Sequence, residues 1–101
     1  MKYTVTERNG VAEVHLEGQL NFSANEDFHV LLEKLLAMKP HAVTFHIGKL
    51  TMVDSVGLGL LYIANEDLGN IKAPITLAGA VDGVARLLEL TEANKLFTIA
   101  P

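Results

Sequence analysis

An α/β fold is predicted for this chain: a mixed sheet of four to five strands with helices packed on one face, in the order β-β-α-β-α-β-α-β. Three observations predict it. Two alternating segments joined by Asn9-Gly10 open the chain, three later stretches carry apolar residues at helical spacing, and short β-branched runs separate those stretches.

Residues 2 to 7 and 11 to 17 alternate as strands do, with Val11, Glu13, His15 and Glu17 on one face and Ala12, Val14 and Leu16 on the other. Asn9-Gly10 between them is a two-residue hairpin signal. From Ser23 to Met38, the residues Ala24, Phe28, Leu31, Leu32, Leu35 and Met38 recur at helical spacing. Ser23 is the expected N-cap, Glu26 its capping-box partner and Pro40 the stop. AVTFHI, residues 42 to 47, is β-branched and aromatic and predicts a central strand. The segment 54 to 70 follows as a second helix, with Gly57, Leu60, Leu61, Ala64, Leu68 and Ile71 as its buried stripe. PITLAG, residues 74 to 79, predicts a strand, VDGVARLLEL, residues 81 to 90, a third helix, and KLFTIA, residues 95 to 100, a last short strand. Strands that alternate with helices are expected to be parallel, and right-handed crossovers would place the helices together on one face.

The chain has 101 residues, 50% of them hydrophobic, enough for one domain over residues 1–101 with its own core. It has no cysteine, which excludes disulfides and thiolate metal sites and fits a reducing compartment. The net charge of −4 comes with no basic cluster, so nucleic acid is not an expected partner. MKYTVTERNG is too polar for a signal peptide, and the apolar run around VGLGLLYIA falls well short of the ~20 residues that cross a bilayer. No membrane insertion is expected, and the expected location is the cytoplasm.

The segment VDSVGLGLLYIANEDLG, residues 53 to 69, sets an Asp-Ser pair before two glycines at the start of a helix. Glycine costs about 1 kcal/mol against alanine inside a helix, so Gly57 and Gly59 serve something other than helix propensity. Ser55 is not in a nucleophile elbow, because Val53 stands where that motif needs glycine and no histidine is arranged as its base. GLGLLY has Tyr62 where a dinucleotide fingerprint needs its third glycine, and no Walker lysine follows. The four histidines lack the paired spacing of a helical metal site, and His15 and His46 are expected on the half-exposed side of the sheet. No catalytic residue, metal or cofactor is assigned. On helical geometry the outer face of the second helix carries Leu58, Tyr62, Asn65 and Gly69. Exposed Leu58 and Tyr62 beside Ser55, with glycines that admit another surface, read as a docking patch.

These residues resemble the STAS domain family, and within it the bacterial anti-sigma factor antagonists. MVDSVGLGLL, residues 52 to 61, is similar to the family's Asp-Ser-(Ser or Thr)-Gly-Leu-Gly motif; GQLN, residues 18 to 21, is similar to its Gly-Glu-Leu-Asp; and ARLLELTEANKLFTI, residues 85 to 99, is similar to its closing helix and strand. The resemblance implies a non-enzymatic partner-switching protein that binds a serine kinase acting as an anti-sigma factor and so frees a sigma factor. It maps the phosphorylation site onto Ser55, restored by a PP2C-type phosphatase, and partner contacts onto Asp54, Ser55, Val56, Gly57, Leu58, Gly59, Tyr62 and Asn21. Val56 stands in place of the usual Ser or Thr, Asn21 in place of Asp, and Glu92-Ala93 in place of the frequent Gly-Leu. A transporter or lipid-transfer module without phosphorylation, and a small nucleotide-binding protein, are the alternative readings.

Overall fold

The structure, a computed structural model, describes residues 1–101. Strands β1 (Lys2–Arg8) and β2 (Val11–Leu20) pair antiparallel around Asn9 and Gly10. Both turn residues have positive φ, 54° and 83°, which is the backbone that an Asn-Gly pair supplies most readily. Helix α1 (Asn25–Met38) then leads to β3 (Ala42–Val53), α2 (Ser55–Gly69) to β4 (Ile75–Ala78), and α3 (Asp82–Leu90) to β5 (Thr98–Ala100). The sheet has five strands in the order β1-β2-β3-β4-β5, and every pair from β2 onward is parallel.

The helices lie on one face of this sheet. Ala12, Val14 and Leu16 of β2, Val43, Phe45 and Ile47 of β3, and Ile75 and Leu77 of β4 join the inner faces of α1, α2 and α3 in one cluster of 25 buried apolar residues. Each buried Leu or Phe there contributes about 1.5–3 kcal/mol of hydrophobic stabilisation. Phe28 of α1 stacks on Phe45 of β3 with ring centroids 6.1 Å apart, and no polar or charged residue is buried. On the opposite face Glu13, His15 and Glu17 alternate with the core residues and remain half-buried or exposed.

Several boundaries differ from the sequence reading. Ser23 is not the cap of α1: Asn21 caps a 3-10 turn (Phe22–Ala24), accepting from the Ser23 backbone N–H at 3.1 Å, and α1 follows from Ala24 with no side-chain cap. The turn adds a residue stretch that the capping-box pattern reads as helix. Met38 is 38% exposed, because α1 ends there and Lys39 turns into the left-handed region. Ile71 is 39% exposed for the same reason, since α2 stops at Gly69 and the turn through Lys72 carries Ile71 outward.

Strand β3 runs six residues beyond the predicted end, to Val53, and β2 runs on to Leu20. The two support each other past irregular pairing between His15 and Glu17 and between Gly18 and Gln19, where strict alternation fails and the sequence signal is lost. The last strand is shorter than predicted because Ala93–Lys95 form a 3-10 turn and Phe97 is drawn into the core.

Candidate functional site

Paired Leu20 and Val53 end β2 and β3 side by side, so the connections to α1 and α2 leave the same end of the sheet. Asp54 N–H donates to the Leu20 carbonyl at 3.4 Å, which joins the two exits. Asp54 is extended, at φ −100° and ψ −172°, and its Oδ1 accepts the Gly57 N–H at 2.8 Å. That is N-cap geometry, in which a carboxylate satisfies a helix-end donor and meets the positive end of the helix dipole. Ser55 is therefore the first residue of α2, and it is exposed.

The two glycines of α2 have different causes. A Cβ on Gly57 would lie 1.9 Å from the Leu20 carbonyl oxygen and 2.7 Å from its carbon, so only glycine lets the helix start pack on the end of β2. A Cβ on Gly59 would meet nothing within 4 Å. Gly57 thus faces the fold, and Gly59 faces outward.

The outward assignment of Leu58 is corrected by the structure: Leu58 is 8% exposed and belongs to the core cluster. The flank of α2 that carries it leans on the fold, since Tyr62, one turn on, stacks on Phe97 with centroids 6.3 Å apart. Tyr62 itself remains 37% exposed. The apolar residues on the outer side are instead Val56 at 41% and Ile63 at 41%, on either side of Gly59 and together with Ser55.

Asn21 is engaged within its own loop. Its Oδ1 also accepts the Ser23 hydroxyl at 2.6 Å, and its Nδ2 donates to Gln19 Oε1 at 3.1 Å. An aspartate could accept from Ser23 but could not donate to Gln19, so asparagine fixes this turn without adding charge. The residue that sequence reasoning missed is Phe22, on the same turn and 75% exposed. Its signal was its place outside the helical stripe that begins at Ala24.

Two of the four histidines lie away from Ser55. His15 and His46 stack on the open face of the sheet, centroids 4.3 Å apart, and His46 Nε2 is 2.5 Å from Glu13 Oε1. A surface concavity lies on that side, between Lys2, His15, Asp27, His46 and Lys49, and includes no residue of α2. Glu92 takes a left-handed φ of 55°, so the turn after α3 keeps a backbone that glycine would favour.

The model of the STAS domain family matches residues 2–101. A STAS-domain containing protein of Pseudomonas aeruginosa (strain UCBPP-PA14) is 28% identical over 87 residues, which are 86% of this chain and 85% of that protein. An anti-sigma factor antagonist from Mycobacterium paratuberculosis superposes with a TM-score of 0.87 at 22% identity, covering 99% of this chain and 85% of the other. A sulfate transporter family protein from Wolinella succinogenes superposes with a TM-score of 0.78 at 15% identity, covering 94% of this chain and 80% of the other. At these identities the two structures establish a common fold and nothing finer.

Proposed function

The chain belongs to the STAS domain family, and from that premise we propose that it is a bacterial anti-sigma factor antagonist switched by phosphorylation of Ser55. The observation that carries this reading is the start of α2. An exposed serine directly follows the capping aspartate, on a helix end that favours anions, beside an outer surface of Val56, Gly59, Ile63 and Tyr62.

The partner is a serine kinase that doubles as an anti-sigma factor. Ser55 Oγ forms a bond to the γ-phosphorus of ATP as the bond from that phosphorus to the β,γ-bridging oxygen breaks; ADP leaves, and the hydroxyl proton passes to a base of the kinase. A PP2C-type phosphatase returns the serine with water, releasing inorganic phosphate. The phosphate adds about −1.5 to −2 charges beside Asp54. The helix end accommodates that charge, whereas a partner holding a nucleotide's own phosphates opposite Ser55 is repelled by it. No helix of the chain is long and apolar enough to cross a membrane, and the reading places this exchange in the cytoplasm.

The test is to incubate the purified chain with ATP and each anti-sigma-type serine kinase of its source organism, and to map phosphate by mass spectrometry. One kinase should label Ser55 and leave Ser55→Ala unlabelled. Labelling chiefly at Ser23 or Thr51, or none with any kinase, would overturn the reading and favour a module used in assembly without phosphorylation.

A further inference from the structure

Among the large apolar side chains, Phe22 is the most exposed, at 75%. It is not on a loose loop. Asn21 holds its turn through the Ser23 N–H, the Ser23 hydroxyl and Gln19, and the preceding residue, Leu20, is pinned to the start of α2 where its carbonyl receives the Asp54 N–H and packs on Gly57. A phenyl ring is thus presented to solvent from a braced turn at the end of the sheet where Ser55 begins α2. Isolated exposed apolar residues need no account, but here Val56, 41% exposed, lies on the adjoining helix start.

The elements that form this position carry no Lys or Arg of their own, while Lys2 and Lys49 share a surface concavity with Asp27 on the open side of the sheet. No Lys or Arg occurs between Arg8 and Lys34 or between Lys49 and Lys72, the two stretches that supply the turn, the first turns of α1, and all of α2. Glu26 and Asp27 are exposed in the first turn of α1, Asp54 caps α2, and Glu66 is exposed farther along it; His29 is the one basic side chain on the exposed start of α1. An aromatic in an acidic field is complementary to an apolar cleft bordered by basic side chains.

Resting on the reading of Ser55 as a phosphoacceptor, we propose that Phe22 is the aromatic anchor by which the Ser55 kinase holds this chain, seated in an apolar cleft of the kinase bordered by Lys and Arg. The phosphate donor then faces Ser55 while the basic border faces Glu26 and Asp27. Buried aromatic anchors carry a disproportionate share of binding energy, whereas rim charges act mainly on association and salt dependence. Phe22 belongs to this sequence's own turn and lies outside the Asp-Ser motif, so it would set which kinase is accepted.

The test uses the kinase that labels Ser55, with steady-state phosphorylation of wild type, Phe22→Ala, Phe22→Leu and the charge-reversed Glu26→Lys/Asp27→Lys. Circular dichroism confirms folding, which the exposure of all three positions favours. Phe22→Ala should raise KM about tenfold, with the effect carried by KM rather than kcat, and Phe22→Leu should recover most of it. The charge-reversed variant should also raise KM and flatten its rise with salt. A folded Phe22→Ala with wild-type KM, still labelled at Ser55, would remove the anchor and leave the phosphoacceptor standing. A charge-reversed variant with lowered KM would overturn the basic border. Absence of Ser55 labelling by any kinase would overturn the phosphoacceptor and the anchor together.

Discussion

Alanine at Gly57 and alanine at Gly59 should move stability in opposite directions, although the two positions are two residues apart on α2. On propensity alone each change stabilises a helix by at most about 1 kcal/mol. At Gly59 nothing lies within 4 Å of the new Cβ, so that gain is kept. At Gly57 the Cβ would lie 1.9 Å from the Leu20 carbonyl oxygen. The obstacle is backbone at the end of a core strand, and Leu20 is fully buried, so no rotamer change relieves it. Overpacking costs typically about 1–3 kcal/mol, and a backbone clash belongs at the upper end, about 3 kcal/mol. The net loss is then about 2 kcal/mol at Gly57, against a gain of up to about 1 kcal/mol at Gly59. At about 4–8 °C per kcal/mol for a domain of this size, Gly57→Ala should lower Tm by about 8–16 °C and Gly59→Ala raise it by up to about 4–8 °C. Thermal unfolding followed by circular dichroism, with urea titrations to check equal m-values, reads both. A Gly57→Ala midpoint at or above wild type, or equal losses in both variants, would refute the assignment of one glycine to packing and the other to open surface.

Asp54→Ala should cost about 1 kcal/mol by removing the acceptor of the Gly57 N–H, while Asp54→Asn keeps most of the stability; chemical denaturation measures both. Phosphorylation of Ser55 should leave the fold in place, because a charge at a helix N-terminus acts there by about 0.3–1 kcal/mol. A drop in thermal midpoint beyond about 10 °C would mean that the phosphate disrupts α2. Glu92→Gly should raise Tm by several degrees, since a non-glycine residue at φ 55° carries about 1 kcal/mol of strain and the exposed pair with Lys95 offsets little. An unchanged or lower midpoint would show that the turn after α3 is not strained.

The order of strands and helices, the hairpin and the one-sided packing of helices were legible because each rests on periodicity or on a turn whose residues demand one backbone. Asn9-Gly10 and the stripe from Phe28 to Leu35 are of that kind. Two classes of feature were not legible. Pairing between strands holds β3 to Val53 across Gly48 and Lys49, where its own sequence stops alternating. Burial by a neighbour takes Leu58 inside, because a helical wheel gives an angle but not the width of the covered arc. Gly57 shows the same limit from the other side. The sequence puts it on the buried stripe yet groups it with Gly59 as admitting another surface, and only the Leu20 carbonyl beneath it separates Gly57 from Gly59. Phe22 could not be read as a presented side chain until the Asn21 turn was known, since the expected cap at Ser23 leaves Phe22 in an undescribed connection before the helix.

The most direct test of the account is calorimetric titration of its kinase with the unmodified chain and with the chain fully phosphorylated at Ser55, both checked for folding. The account predicts that phosphorylation weakens binding by at least about tenfold, or about 1.4 kcal/mol, with the fold unchanged. Equal affinity for two equally folded forms would contradict it, because a phosphate at the start of α2 would then not be the signal that releases the partner.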